Sequence, residues 1–305
     1  MSLKDNKLII TIDASSTSHF GGGMTYLKNL IRNIDNNVEF QIISSRKVAV
    51  NIEYQKNITF ISHPLLNKDL VSRVIFQLFF LDKLINEKSS ILLSLSGDYN
   101  GSFKPYIGVC QNMLLYEWKK TEGMNFFERI KFKILRYRQI KSFNNSNGVI
   151  FLSKYAKKTV SKDLVEINSS VINFGISKRF FMDKKVKSRS KKIKFLYVSS
   201  IHTYKNQLNL LYAFKEALKF NRNICLKLIG PILSIKYFKK VENLMNEINN
   251  VDTAVTYKPL VSYNEIHNEY SSSDIFIFPS ICENMPNILI EAMASNLPII
   301  SSKTE

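Results

Sequence analysis

Short apolar runs alternate with longer mixed stretches along this chain. Leu8–Asp13, Glu39–Ser44, Ile58–Ser62, Ile91–Leu95, Tyr106–Cys110, Gly148–Ser153 and Ser170–Phe174 have strand length, and most are rich in branched or aromatic residues. Segments with helical spacing separate several of them: Met24–Asn33, Asp69–Glu87, Phe126–Phe143 and Lys154–Leu164. Ser177–Lys192 then loses apolar periodicity and turns Lys-, Arg- and Ser-rich, the signature of a linker. Beyond it the rhythm restarts with strands Lys194–Ser199, Ile224–Ile229, Ala254–Tyr257, Asp274–Phe278 and Pro298–Ser301. Helices Asn206–Lys219, Ser234–Ile248, Asn264–Tyr270 and Asn287–Ser295 fall between these strands. Strand followed by helix, repeated, predicts parallel sheets covered on both faces. The expected organisation is an α/β domain over residues 1–176, a basic linker over 177–192, and a second α/β domain over 193–305. The pattern stops just after a strand, which predicts an uncovered last strand and a second domain that is incomplete or closes unusually.

A length of 305 residues suits two domains, each with its own core. With 45% hydrophobic residues the chain is too apolar for a disordered polybasic protein, and 10 Gly with 7 Pro exclude a collagen-like or low-complexity one. Apolar runs such as Leu78–Leu81 fall far short of the roughly 20 residues a membrane span needs. Lys4, Asp5 and Lys7 precede an apolar stretch too broken for a secretory signal. Cys110, Cys225 and Cys282 lie far apart with no CxxC pair, which predicts a reduced, cytosolic setting.

The net charge of +18 is concentrated. Between Lys119 and Lys158 there are 11 Lys and Arg against 2 Glu, and between Lys178 and Lys194 there are 9 against 1 Asp. Two readings stand open: solvated charge in a Lys-rich composition, or attraction to phosphate on a lipid, a lipid pyrophosphate or a nucleic acid. In Phe126–Phe143 the bases Arg129, Lys133 and Arg136 share one face while Lys131, Arg138 and Lys141 lie elsewhere, a poor pattern for an amphipathic membrane helix.

Three segments carry candidate chemistry. Gly21, Gly22 and Gly23 stand at a strand-to-helix turn, where backbone N–H groups can approach an anion or simply form a flexible turn. Lys205-Asn206 enters a helix at the end of the second domain's first strand, where a lysine can act as a point charge on a diphosphate. In FPSICENMPNILIEAMA, Glu283 lies on a loop, Pro286 marks a helix start, and Glu291 stands in an apolar helix, so it must face the surface or have a polar partner. Carboxylates of this kind accept hydrogen bonds from sugar and ribose hydroxyls, and a surface Glu beside a capping Glu is the bland alternative. Among the histidines, His19 precedes the glycines and is a candidate for the reacting centre, His202 lies in the Lys205 loop, and His63 and His267 read as surface groups. No His, Cys and Asp spacing resembles a zinc site.

The block Glu283-x7-Glu291 within FPSICENMPNILIEAMASNLPIIS closely resembles the sugar-nucleotide signature of family 4 glycosyltransferases of the two-Rossmann GT-B architecture. Lys205-Asn206 is similar to that family's phosphate-binding loop, Gly21–Gly23 to its N-terminal glycine loop, and Ser153-Lys154-Tyr155 with Val171–Gly175 to two further markers. Cys110-Gln111-Asn112-Met113-Leu114 resembles a stretch in bacterial members that build surface polysaccharides such as lipopolysaccharide or capsule. The resemblance implies a retaining transfer from a nucleoside-diphosphate sugar, with no essential metal or other cofactor. The acceptor would be a lipid-linked glycan, bound against the first domain across a cleft from the donor. It implies a cytoplasmic protein peripheral on the inner face of the membrane, with an anionic membrane surface as partner and no nucleic acid.

Carried over by residue, the resemblance gives Glu291 the donor ribose, Glu283 the hydroxyls of the transferred sugar as the catalytic carboxylate, and Lys205 the diphosphate leaving group. Backbone N–H groups of Met285 and Asn287 would support the phosphates or sugar, and Tyr257–Leu260 would wall the base. Gly21, Gly22, Gly23, His19, Gln111 and Asn112 would form the phosphate or acceptor loops. The sequence also departs from the family. Ser200 stands where many members carry a phosphate-binding Arg, Pro286 removes an N–H, and Gln111-Asn112 occupies the neighbourhood of a catalytic His. A neutral amide pair cannot act as general base, whereas a front-face mechanism lets the leaving phosphate take the acceptor proton. The family normally continues beyond Glu305 with further helices, so the chain reads as C-terminally truncated. The rival readings are a basic, non-catalytic nucleic-acid- or membrane-binding protein, or an inactive truncated transferase that only binds donor.

Overall fold

The computed structural model describes residues 8–19, 21–32, 37–53, 55–85, 89–117, 119, 126–181, 192–250 and 253–303. Most of the expected basic linker, residues 182–191, lies outside them. The chain forms two compact units, the first from Met1–Tyr116 with Phe126–Phe174 and the second built on Gly175–Glu305.

The first unit runs β1 (Leu8–Asp13), α1 (Gly22–Arg32), β2 (Val38–Ile43), α2 (Arg46–Ala49), β3 (Ile58–Ile61), α3 (Leu70–Phe79), α4 (Leu81–Leu84), β4 (Ile91–Ser94) and β5 (Tyr106–Cys110). It continues through α5 (Leu114–Glu117), α6 (Phe126–Asn144), β6 (Gly148–Phe151), α7 (Lys154–Val160) and β7 (Ser169–Val171). Its seven strands are parallel in the order β3-β2-β1-β4-β5-β6-β7. The direction of winding reverses between β1 and β4, which makes that gap the sheet's switch point. Ile12, Ile42, Leu92 and Val109 are wholly buried in its strands.

The helix expected over Asp69–Glu87 is two helices over its described part. Asp69 caps α3 by accepting from the Ser72 N–H at 2.9 Å. Phe80, at φ −122°, then leaves helical geometry, stacks on His63 at 4.9 Å and lets Leu81 enter the core. Packing of two adjacent bulky residues into different environments outweighs local propensity here. The helix expected over Lys154–Leu164 likewise ends at Val160 and gives way to a tighter turn, Ser161–Asp163, whose Asp163 pairs with Arg136 at 2.6 Å.

The second unit contains β8 (Ile193–Val198), α8 (Gln207–Phe220), β9 (Ile224–Ile229), α9 (Ile235–Asn249) and β10 (Val255–Lys258). After these come α10 (Ile266–Ser271), β11 (Ile275–Phe278), α11 (Asn287–Ala294) and β12 (Ile299–Ser301). Its five strands are parallel in the order β10-β9-β8-β11-β12, with the switch point between β8 and β11. One core, including Leu196, Leu211, Val241, Tyr270, Phe276 and Ala292, fills the space between strands and helices. Strand β12 is the edge, with Ile300 exposed. Among the described residues no helix is long and apolar enough to cross a membrane.

Candidate functional site

In an open parallel sheet the loops leaving the strands on either side of a switch point diverge and leave a crevice at the carboxyl ends. In the second unit those loops follow β8 and β11, and they contain Ser200, Lys205, Glu283 and Met285. Residues 78 positions apart thereby meet: Lys205 Nζ lies 2.5 Å from Glu283 Oε1. Sequence reading gave these two side chains separate ligands, and their pairing is a finding of the structure.

The crevice is rigid because its two loops are cross-linked. The Ile281 N–H donates to Tyr204 O at 3.0 Å, and Asn206 Nδ2 donates to Pro279 O at 3.2 Å. From the core side, the Tyr197 hydroxyl donates to the Lys205 carbonyl at 2.8 Å and lies 2.9 Å from Ser280 Oγ. Asn206 takes the left-handed conformation, φ 61°, that turns the chain from the Lys205 loop into α8. Gly230 closes the other flank. A Cβ there would lie 2.0 Å from Ser199 O, and its φ of +145° suits glycine alone. Gln207, fully buried, donates to Ser199 Oγ and Ser200 O at 3.0 and 2.8 Å. Ser200 thus presents a carbonyl already engaged by Gln207 where the resembled family often has a cation.

Burial disfavours the Lys205 charge, but the Glu283 carboxylate, with Tyr204 and Tyr197, outweighs it and holds the ammonium pKa above its usual range. Lys205 therefore stays cationic across the physiological range. Cys282, beside Glu283, is buried, and its thiol is pushed up to about 12 chiefly by that burial, so it remains protonated and unreactive.

Helix α11 completes the site. Pro286 is its N-cap, as the sequence predicts, and has no side-chain cap to offer. Asn287 is the first helical residue, and its Oδ1 is buried with no hydrogen-bond partner among the described residues. Two turns of apolar packing inside this helix would exclude a charge, yet Glu291 is 6% exposed. Its partner is Tyr270 of α10, whose hydroxyl donates to Glu291 Oε2 at 2.8 Å and also lies 3.3 Å from Ile288 O. Burial raises the Glu291 carboxyl to about 7, with the Tyr270 hydrogen bond acting the other way. Tyr270 was missed in the sequence, and the only signal for it was the need of a carboxylate in an apolar helix for a donor.

In the first unit, Gly21 has φ +84° and its carbonyl accepts from the Thr25 N–H at 3.1 Å, so it forms the entry to α1. Gly22 opens onto free space, and a Cβ on Gly23 would meet Gln111 Oε1 at an ordinary 3.5 Å. The predicted residues Gly23 and Gln111 are therefore neighbours. Asn112 uses its Oδ1 locally, accepting from the Leu114 N–H at 3.0 Å to start α5. His19 is exposed in the loop between β1 and α1.

A polar cluster beneath this loop escaped the sequence reading. Asp13, buried at the end of β1, accepts from Ser15 N and Ser94 Oγ, each at 3.0 Å, and burial lifts its carboxyl to about 6, aided by Asp98. Asp98 in turn receives Ser96 Oγ at 2.5 Å and Gln77 Nε2 at 3.2 Å. Its available signal was an aspartate closing an otherwise apolar strand at the switch point. Among the described residues no three His, Cys, Asp or Glu side chains are grouped to hold a metal ion.

Comparison with known proteins bears on this geometry. Residues 178–305 match the family model of glycosyl transferases, group 1. The chain is 29% identical over 224 residues to the capsular polysaccharide biosynthesis glycosyltransferase CapH of Staphylococcus aureus, covering 65% of this chain and 60% of CapH. It is 27% identical over 146 residues to an uncharacterized glycosyltransferase of Haemophilus influenzae, covering 48% of this chain and 39% of that protein. The chain thus spans less than two thirds of either curated relative. Among solved structures, Anabaena Alr3699/HepE in complex with UDP and glucose matches with a TM-score of 0.72 at 12% identity, covering 97% of this chain and 81% of HepE. The sucrose-phosphate synthase of Thermosynechococcus elongatus matches at 0.74 and 16% identity, covering 97% and 82%. WaaG, a glycosyltransferase involved in lipopolysaccharide biosynthesis, matches at 0.68 and 13% identity, covering 96% and 80%. The α/β fold is that of these GT-B glycosyltransferases, and the match to the group 1 family model falls on the second unit.

Proposed function

We propose that this chain is a retaining glycosyltransferase that moves a sugar from a nucleoside-diphosphate sugar to a lipid-linked glycan in the building of a bacterial surface polysaccharide. The observation that carries this reading is the meeting of Lys205, Glu283 and the first turn of α11 at the second unit's switch point, with Glu291 about one turn along that helix. In the reaction the bond between the sugar's anomeric carbon and the diphosphate oxygen breaks, and a bond to the acceptor oxygen forms on the same face. Lys205 offsets the charge that grows on the departing diphosphate, the largest electrostatic demand of the step. The N-terminal N–H groups of α11 favour the same anion. Glu283, released from Lys205 as phosphate takes its place, accepts hydrogen bonds from the sugar hydroxyls, and Glu291 accepts those of the ribose. Asn287 Oδ1 is a further acceptor for a donor hydroxyl.

The acceptor is assigned to the first unit, at the loops carrying Gly21, Gly22, Gly23 and His19 and at Gln111 and Asn112. The two amides take no proton, so the acceptor's proton passes to the departing phosphate oxygen. No metal or other cofactor has a role in this scheme. A lipid-linked acceptor puts the enzyme at the cytoplasmic face of a membrane. HepE binds UDP and glucose, and CapH is named for capsule synthesis, which supports a UDP-sugar donor and a polysaccharide product.

The test is calorimetric binding of UDP, GDP and their common sugars to the wild type and to Glu291→Ala. One nucleotide should bind the wild type with micromolar to millimolar affinity, and the variant should lose at least about ten-fold, the weight of one charge-assisted hydrogen bond. Equal binding by both proteins refutes the assignment of Glu291.

A further inference from the structure

A buried carboxylate needs a donor at each oxygen to stay charged, and Glu291, 6% exposed, has one donor for its two. Oε2 accepts from the Tyr270 hydroxyl at 2.8 Å. Oε1 has no partner among the described residues, yet it is not sealed from solvent. The Tyr270 hydroxyl itself stands between two acceptors, for it also lies 3.3 Å from the Ile288 carbonyl. A phenol carries one proton and an oxygen that can accept, so this placement serves Glu291 in either charge state. With the carboxylate ionised, Tyr270 donates to Oε2. With the carboxyl protonated, its O–H donates to the phenol oxygen and the phenol proton turns to Ile288 O. Burial and the nearby Glu291 charge keep the phenol's own proton in place throughout.

The ring has no other freedom. It stacks on Phe276 of β11 with centroids 5.6 Å apart and meets Phe180 edge-on at 5.6 Å, and all three rings are fully buried. The other ionisable groups around α11 are committed elsewhere. Lys205 pairs with Glu283 at 2.5 Å, and Glu269 of α10 with Lys227 and Lys258 at 2.8 and 3.3 Å. Arg179, in the turn Lys178–Phe180 that packs on α11, donates to Tyr263 O and Asn264 Oδ1 at 3.1 and 2.9 Å. Asp274, just before β11, accepts from the Lys194 N–H at 2.9 Å. Neither Lys178 nor His267 of α10 acts on Glu291, whose carboxyl is governed by its burial and by Tyr270.

We infer that Tyr270 is a positioning residue for nucleotide binding: it satisfies Glu291 in both charge states, keeps Oε1 for the ribose, and so makes binding expel the Glu291 proton to solvent. The inference rests on the donor reading proposed above, in which Glu291 meets the ribose. A ribose hydroxyl donating to Oε1 supplies the donor that the ionised carboxylate lacks, so the occupied site favours the charge that the empty site disfavours. The empty-site carboxyl titrates at about 7, and the occupied one should return to the ordinary range. Binding should then release about 0.9 proton at about pH 6 and about 0.1 at about pH 8. Affinity should rise with pH through this window, and be about ten-fold weaker at its acid end than at its alkaline end.

The experiment is calorimetry of the full chain with UDP-glucose and GDP-mannose from about pH 6 to about pH 9, in pairs of non-phosphate buffers that differ in ionisation enthalpy and so count the protons released. The diphosphates of both probes are diesters that do not titrate in this range. The wild type should show the release and the affinity change just given. Glu291→Gln should show neither, although it keeps Asp13, the other buried carboxyl that titrates nearby. Tyr270→Phe retains the ring and its aromatic contacts, and melting curves verify that both variants are folded. Without the hydroxyl the midpoint of the pH–affinity curve should move up by about one unit, so that binding is about five-fold weaker at neutral pH and recovers toward the alkaline end. A residue that only packs would lose the same factor at every pH. Wild-type binding without proton release, release that persists in Glu291→Gln, or a Tyr270→Phe curve lowered uniformly overturns the inference and leaves the donor site standing. Binding of neither probe at any pH overturns the donor reading and this inference with it.

Discussion

Glu291 offers a quantitative test of how the site is built. Its carboxyl is nine-tenths or more out of water, and burial lifts its pKa from the ordinary 4.5 to about 7 against the opposing hydrogen bond from Tyr270. At 1.36 kcal/mol per unit the ionised form costs the folded chain about 3 kcal/mol relative to the unfolded one. The folded pKa is raised, so between pH 4.5 and about 7 the folded chain keeps a proton that the unfolded chain releases, and stability falls as pH climbs through that window. Asp13 slopes the same way, from 3.8 to about 6, so the wild-type curve alone does not isolate Glu291. The difference between Glu291→Gln and wild type does, because Asp13 is common to both. Urea denaturation followed by circular dichroism should show Glu291→Gln gaining about 3 kcal/mol on the wild type between about pH 4.5 and pH 8. Tyr270→Phe removes the one interaction that favours the carboxylate and should steepen the wild-type slope. A Gln-minus-Glu difference that stays constant with pH would refute the reasoning, since it would mean that the carboxylate ionises in the fold as easily as in water.

Other sites give sharper qualitative outcomes. Lys205→Ala should abolish nucleoside-diphosphate binding and cost about 2 kcal/mol by stranding Glu283. Adding Glu283→Gln should recover much of that stability but none of the binding, as a double-mutant cycle with calorimetry can show. Gly230→Ala should destabilise the second unit by more than about 3 kcal/mol, because its Cβ would meet Ser199 O and the φ is one that only glycine tolerates; a melting curve near the wild-type one would contradict this. Gly21→Ala should cost about 1 kcal/mol for its positive φ, whereas Gly22→Ala, at the open first position of α1, should be neutral or stabilising by up to about 1 kcal/mol; urea midpoints distinguish them.

Much of the fold was legible because strand and helix differ in period, and the runs at Leu8–Asp13, Tyr106–Cys110 and Ile224–Ile229 coincide with β1, β5 and β9. Boundaries failed where packing decided them, as at Phe80, where two neighbouring bulky residues go different ways. The Lys205–Glu283 contact was illegible for a topological reason. Only the placement of β11 beside β8, rather than beside β10, brings the two loops together, and apolar runs do not encode strand order. Tyr270 was hidden for the same reason, since it lies in a short helix that reads as ordinary surface until α11 packs near it. In Phe126–Phe143 the reading rested on the bases alone and named no buried face, and the residues that α6 buries are Gln139, Ser142 and Phe143.

The hydrogen bonds Ile281 N–H to Tyr204 O and Asn206 Nδ2 to Pro279 O have a further consequence, for protein engineering. Loops at switch points are natural cassettes for changing substrate preference, and in an unlinked pair each could be exchanged alone. Here both bonds use backbone carbonyls, and one also uses a backbone N–H, so their partners depend on the shape of the neighbouring loop more than on its side chains. A graft of residues 279–286 from a glycosyltransferase would meet a mismatched Tyr204–Asn206 turn, and a graft of residues 199–206 would meet a mismatched Ile281. The two segments are one heritable cassette, and a change of the proposed donor preference would have to move them together.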